Sequence, residues 1–351
     1  MREGFTTGSC AAAAALASCL WRRDGECPAK VEIVLPAGRV FSPAILQREA
    51  YTCGVIKDSG DDPDITDGCE VRASVDLRDG DGEITFRAGE GVGTITLPGM
   101  KLPPGEAAIN PVPRRMIAQA VRGVYPARAA QVTVSIAGGE ALAKKTFNPR
   151  LGVVGGLSVL GTSGIVRPMS EEALTASIAL EISVRCAMDS DRLALVFGNQ
   201  GEAALQRRFP RLTPVQMSNF VGFALDEAVR QGVPRLLLAG HPGKLVKVAG
   251  GNMQTHSQYG DGRREAVISQ LALMGAPPSL CQRVYACVTT SAMIPLIGES
   301  GYGGVWTRMA NAAAQYCEAR IRGAAKIDVL FLGEGCAALG QSDGLKEETW
   351  A

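Results

Sequence analysis

Histidine is nearly absent from this chain: His241 and His256 are the only two in 351 residues. The ten cysteines include no Cys-x-x-Cys pair, so the chain lacks the ligand spacing of a structural zinc site. Their positions are irregular, and a core of this size needs no disulfide staples. They read as small buried apolar residues with reduced thiols. Neither sign of charge is in surplus, with Lys plus Arg at 36 and Asp plus Glu at 35. That balance argues against nucleic acid or a membrane surface as partner, so an anionic ligand must be held by a local cluster. No apolar run approaches the roughly 20 residues that a membrane span requires. The stretch from Ala11 to Ala17 imitates the apolar part of a signal peptide. Polar Thr6-Thr7-Gly8-Ser9 before it and Arg22-Arg23-Asp24 after it point instead to a buried helix in a cytoplasmic protein. Internal repeats and low-complexity linkers are also missing.

What is present is enough apolar material for a large core, at 46% hydrophobic and 20% charged residues, and length for about two domains. A helix is expected from about Ala11 to Trp21, capped by Ser9 or Thr7. Short alternating segments follow at Lys30–Leu35, Glu70–Asp76 and Glu83–Arg87. The turn Asp79-Gly80-Asp81-Gly82 between the last two predicts a hairpin. A helix is expected over Pro113–Gly123, then a second hairpin pairing Gln131–Ile136 with Ala141–Phe147. Residues 1–150 thus read as an α+β domain with a mostly antiparallel sheet. Beyond Arg150 the rhythm changes. Continuous apolar segments at Leu193–Phe197, Leu236–Ala239 and Ile327–Leu332 alternate with helical patterns at Ser170–Met188, Gly201–Phe209, Val215–Gln231 and Asp261–Met274. Residues 151–340 therefore read as a doubly wound α/β domain with a largely parallel sheet, and the tail from about Gly340 as frayed.

Four stretches carry residues suited to chemistry. Gly198, Asn199, Gly201 and Glu202 follow a buried-type strand and open a helix, where α/β sheets admit nucleotide-like ligands; a plain strand–helix turn is the alternative. The run from Leu151 to Gly164 holds Gly155 and Gly156 between Arg150 and Arg167. It suits close backbone approach to a ligand, or tight internal packing. Five aspartates crowd the loop from Asp58 to Asp67, where Asp58 or Asp61 offers a proton acceptor and Asx turns are the bland reading. Basic residues beside Gly or Pro turns (Arg114, Arg115, Arg150, Arg167, Lys244, Lys247) are what a polycarboxylate ligand requires. His241, just after a strand, is a candidate acid–base or axial metal ligand, against a structural role.

Longer blocks stand in order along the chain. They include Gly-Phe-Thr-Thr-Gly-Ser-Cys-Ala-Ala-Ala at 4–13, Val-Ile-Lys-Asp-Ser-Gly-Asp-Asp-Pro-Asp at 55–64 and Ala-Ile-Asn-Pro-Val-Pro-Arg-Arg-Met-Ile at 108–117. Further on stand Phe-Asn-Pro-Arg-Leu-Gly-Val-Val-Gly-Gly at 147–156 and Gly-His-Pro-Gly-Lys-Leu-Val-Lys-Val-Ala-Gly-Gly at 240–251. With these blocks the chain resembles the CbiD family, the cobalt-precorrin-5B carbon-1 methyltransferases of the anaerobic cobalamin route. The resemblance implies methyl transfer from S-adenosylmethionine to a corrin precursor, with cobalt present only as part of that substrate and no metal held by the protein itself. The resemblance fixes the reaction and not the residues; on the reading of the residues, the adenosyl site is expected at Gly198–Glu202 with Gly155 and Gly156, and catalytic roles from Asp58, Asp61 and His241. Substrate contacts are then expected from Thr6, Thr7, Ser9 and the six basic residues. A homo-oligomer is compatible with this reading. A corrinoid-binding chaperone without catalysis is the alternative, predicting corrinoid binding without affinity for S-adenosylmethionine.

Overall fold

The computed structural model describes residues 1–80, 82–333, 335 and 337–351. The chain divides into two compact units, Met1–Ala173 and Leu174–Ala351. The division lies past the change of rhythm at Arg150 because the Gly-rich run pairs inside the first unit: Val153–Val154 with Thr94–Ile95, and Ile165–Val166 with Gly4–Phe5.

The first unit is built on a five-stranded sheet ordered Leu46–Gln47, Cys53–Ile56, Glu70–Arg78, Ala129–Ile136, Ile84–Ala88. Every neighbouring pair is antiparallel except the last. Period-two burial puts Val71, Ala73 and Val75 on the same face as Ala130, Val132 and Val134. The helix Thr7–Asp24 packs on that sheet and on the helix Pro111–Val124. Alanine makes this close fit possible: Ala11 to Ala15 and Ala17 are almost fully buried, and the sheet approaches near enough for Val75 N–H to donate to Ser18 Oγ at 3.1 Å. The N-cap is Thr6, not Ser9 or Thr7, and Gly25 closes the helix in the left-handed region at φ 78°.

Both expected hairpins fail. Glu70–Arg78 and Ile84–Ala88 are not partners, because Ala129–Ile136 lies between them; the Asp81 of the intervening turn lies outside the described residues. The second hairpin loses its return strand, since Gly139–Ala143 is a short helix.

The second unit is a sheet ordered Val215–Gln216, Leu193–Val196, Arg235–Gly240, Lys326–Leu332, Ala338–Gln341, parallel except for the last strand. Leu193, Leu195, Leu236, Leu238, Val329 and Phe331 face one core, and Ala194, Val196, Leu237, Ala239 and Leu330 face the other. Burial on both faces explains the continuous apolar strands and identifies a doubly wound α/β layer. Two expectations are corrected. Val215–Gln216 is a strand and its helix begins only at Val221. The tail is ordered: Ala338–Gln341 is a strand, and fully buried Trp350 donates from its indole to Asp328 Oδ2 at 2.9 Å. Among the described residues, no helix is long and apolar enough to cross a membrane.

Candidate active site

In the second unit the strand Leu193–Val196 stands between Val215–Gln216 and Arg235–Gly240. From its end the chain turns first to one side of the sheet and later to the other. That makes the gap between Val196 and Gly240 a topological switch point, the place where open α/β sheets take ligands. Two helices begin there, Asn199–Arg208 after Gly198 and Pro242–Ala249 after His241.

The two loops touch. A Cβ on Gly240 would lie 2.7 Å from the Phe197 ring, so only glycine fits beside it, and Lys244 Nζ stands 5.3 Å from the centre of that ring. At Gly198 a Cβ would meet nothing within 4 Å, and no side chain caps the helix that follows. The positive end of this ten-residue helix therefore lacks a side-chain cap from its N-cap residue. Asn199 and Glu202 are held in place by Gln216, whose amide nitrogen donates to Asn199 Oδ1 at 2.6 Å and to Glu202 Oε2 at 2.5 Å.

His241 is the N-cap of its helix: Nδ1 accepts from Gly243 N–H at 3.2 Å, which requires the tautomer with its proton on Nε2. His256 does the same for the turn Ser257–Tyr259, accepting from Gln258 N–H at 3.3 Å. Lys247 turns inward. It is buried and donates to the carbonyls of Thr255 (3.2 Å) and Gly260 (2.9 Å), fixing the segment between them. Lys244 is half-buried, and burial followed by the charge of Lys247 lowers its pKa.

In the first unit, all five aspartates of the acidic loop have partners. Asp58 pairs with the Arg2 guanidinium and accepts from Gly60 N–H, while Asp61 accepts from Arg2 N–H at 2.6 Å. Asp62 accepts from Met169 N–H at 3.1 Å and Asp67 from Ser59 N–H at 2.8 Å. Asp64 takes the buried Lys57 ammonium at 2.8 Å together with the N–H and hydroxyl of Thr66. The Arg2 hydrogen bond, with help from Gly60 N–H, holds the Asp58 carboxyl at about 2. A carboxylate that acidic is a feeble proton acceptor near neutral pH. Among the described residues no group of three or more His, Cys, Asp or Glu side chains is placed to hold a metal ion.

The remaining candidates separate by burial. Thr6, Thr7 and Ser9 are buried and fasten the helix start to the Gly-rich run: Ser9 Oγ donates to Gly164 O at 2.7 Å, and Thr7 Oγ1 accepts from Leu160 N–H at 2.9 Å. Gly156 is packed so tightly that a Cβ would stand 2.3 Å from the Gly91 carbonyl carbon. Gly155 has open space but φ of 86°. Arg114 points back into the unit, donating to Ile109 O (2.9 Å), Ala107 O (3.0 Å) and Glu106 (2.8 Å). Its neighbour Arg115 is exposed at one end of a groove of about 370 Å³. That groove shares Val34, Met116 and Gln119 with a larger one of about 450 Å³ between the two long helices. Arg150 sits on the 3₁₀ turn Asn148–Leu151, and exposed Arg167 pairs with Glu3 at 3.3 Å.

Sequence reasoning missed two residues at the switch point. Gln216 lies in a two-residue strand with no local signal of its own. Thr290, buried beside Gly243, opens the helix Thr290–Glu299; the run Thr289-Thr290-Ser291 before apolar residues was a legible cap signal.

Two family models match: CbiD over residues 1–168, and CbiD, C-terminal domain, over residues 254–343. Curated relatives named cobalt-precorrin-5B C(1)-methyltransferase include one from Desulfitobacterium hafniense, 41% identical over 94% of this chain and 87% of its own length. Another, from Alkaliphilus metalliredigens, is 40% identical over 99% and 97%; a third, from Photorhabdus laumondii, is 45% identical over 92% and 86%. A crystal structure of a cobalamin biosynthesis protein (cbiD) from Archaeoglobus fulgidus is 28% identical. It covers 71% of this chain and 80% of that one, with a TM-score of 0.40.

Proposed function

The chain belongs to the CbiD family, and from that membership we infer that it methylates carbon 1 of cobalt-precorrin-5B in cobalamin biosynthesis. One observation carries the reading: a relative bearing that name matches at 40% identity with 99% of this chain and 97% of its own aligned, so neither unit is left without a counterpart.

The donor is S-adenosylmethionine, and the switch point of the second unit is its site. The fit rests on the open space at Gly198, the uncapped start of the helix Asn199–Arg208 and the pinned side chains of Asn199 and Glu202. When bound there, the sulfonium supplies an already activated methyl group, so the protein has little bond chemistry of its own to perform. Its part is to align the reacting atoms and exclude water, a contribution that reaches roughly 7–11 kcal/mol in ideal cases. Gly198 lets backbone approach the ligand, and Gln216 keeps Asn199 from swinging away. The macrocycle's carboxylates call for exposed cations that the fold leaves open; Arg115 meets that requirement, while exposed Arg167 already pairs with Glu3 and Arg114 and Lys247 serve internal positions. Asp58 and Asp61 hold the N-terminal strand through Arg2, and His241 sets the start of its helix. The protein works in the cytoplasm on a small-molecule substrate, without nucleic acid or membrane.

The test is mass spectrometry of corrinoids after anaerobic incubation with S-adenosylmethionine and cobalt-precorrin-5B. A gain of one methyl that requires both protein and donor supports the reading. Substrate binding without methyl gain refutes it in favour of a chaperone.

A further inference from the structure

We propose that the switch-point crevice of the second unit contains a carboxylate-binding site, with the Lys244 ammonium as counter-charge and the Thr290 hydroxyl as hydrogen-bond donor. This deepens the reading of that crevice as the donor site and rests on it.

Three observations converge. Lys244 is half-buried over the Phe197 ring and has no acidic side chain in contact among the described residues. A cation drawn from water without a partner is unfavourable, and the ring face returns only part of its lost hydration. Burial and the like charge of Lys247 both press it toward neutrality, so an anion arriving here regains what the folded chain alone leaves unsatisfied.

Thr290 is only 3% exposed, and its hydroxyl makes no hydrogen bond within the described residues. The oxygen itself still reaches solvent, so it is placed to donate to a ligand atom in the crevice. Its Oγ1 stands 3.6 Å from where a Cβ on Gly243 would be, beside the residue that precedes Lys244 on the same helix start. The third observation is the uncapped helix beginning at Asn199, directly after Phe197 and Gly198. Its N–H groups add positive potential on the other side of the same crevice.

Two ligands of this reaction bring carboxylates: the amino-acid end of the methyl donor, and the rim of the macrocycle. Titration calorimetry with three probes separates them: S-adenosylhomocysteine, 5′-methylthioadenosine (which lacks the amino-acid end), and cobyrinic acid as a corrin polycarboxylate. Lys244→Met keeps the apolar stem on Phe197 and removes only the charge. It is expected to weaken one carboxylate ligand by roughly tenfold or more, the usual loss for a charged hydrogen bond. Lys244→Arg should restore most of that loss. Thr290→Val should weaken the same ligand severalfold, and Thr290→Ser should not.

Loss confined to S-adenosylhomocysteine, with 5′-methylthioadenosine unchanged, places the donor's carboxylate in the site. Loss confined to cobyrinic acid places the macrocycle's there. The proposal is overturned if Lys244→Met and Thr290→Val bind all three probes as the wild type does, or lose S-adenosylhomocysteine and 5′-methylthioadenosine alike. Methyl transfer by the wild-type protein is scored separately. Its absence beside carboxylate-dependent binding would refute the reaction and leave the site standing.

Discussion

Replacing Gly156 by alanine tests whether the Gly-rich run packs the first unit or cradles a ligand. The added methyl would lie 2.3 Å from the carbonyl carbon of Gly91, 2.4 Å from its oxygen and 2.7 Å from the Val92 carbonyl carbon. All three are backbone atoms, so no rotamer change relieves the clash. The segments must part, and they are joined by Leu157 N–H to Gly91 O and Gly93 N–H to Leu157 O, both 2.9 Å. Overpacking costs about 1–3 kcal/mol, and each backbone bond lost about 1 kcal/mol more, giving roughly 3–5 kcal/mol. For a unit of this size that corresponds to a fall of about 10 °C in melting temperature. Gly155→Ala meets no atom within 4 Å but must hold φ at 86°, which costs only about 1–2 kcal/mol and a few degrees. The assay is calorimetric melting of both variants, with S-adenosylhomocysteine affinity measured on whatever remains folded. A Gly156→Ala protein melting within 2 °C of the wild type (against the roughly 10 °C expected), or one less affected than Gly155→Ala, would refute the packing argument. Lost cofactor affinity at unchanged stability would return both glycines to the ligand.

Three further outcomes follow from the site's geometry. Arg114→Ala should destabilise by about 1–2 kcal/mol, because it strips three acceptors of a partly buried guanidinium; Arg115→Ala should leave the melting temperature unchanged and weaken cobyrinic acid binding severalfold. Asp58→Asn should retain methyl transfer. The native carboxyl is held at about 2, below its ordinary value near 3.8, so its pairing contributes stability above about pH 4 that fades as pH falls toward 2. Both partners are about half exposed, so the effect is small; an acid melt of the variant should show a flatter slope over that window, and an unchanged slope speaks against it. His241→Asn replaces one capping acceptor with another and should keep both fold and turnover, whereas His241→Ala should lose about 1 kcal/mol of stability. A large fall in turnover for the asparagine variant would restore the ring to catalysis.

The sequence made local features legible and left pairing obscure, for a physical reason. Alanine spacing and the strand–loop–helix at residues 193–208 are set by neighbours a few positions apart, and those readings hold to within a few residues, while the cap falls on Thr6, one residue before the expected Thr7. Strand order is not local. The Asp-Gly turn after Arg78 looks like a hairpin because turn chemistry reports only that the chain reverses. That Ala129–Ile136 then slides between the two arms depends on a contact made some fifty residues later. Strands of two residues, such as Val215–Gln216, carry no period at all, and so Gln216 stayed invisible.

The same limit governs the candidate site. Arg114 and Arg115 are adjacent in one motif, yet on a helix neighbours point about 100° apart, so one faces acceptors inside the unit and the other solvent. Lys244 and Lys247 share a block in the same way, three positions apart, and Lys247 is recruited inward by the carbonyls of Thr255 and Gly260. A basic residue beside glycine therefore carries two readings until its acceptors are located. What separates a ligand-binding cation from a structural one is whether the fold already supplies its counterpart. By that measure Lys244 and Arg115 are open among the described residues, Arg114 and Lys247 are closed, and the calorimetry on Lys244 and Arg115 asks the question where the chain itself has not answered it.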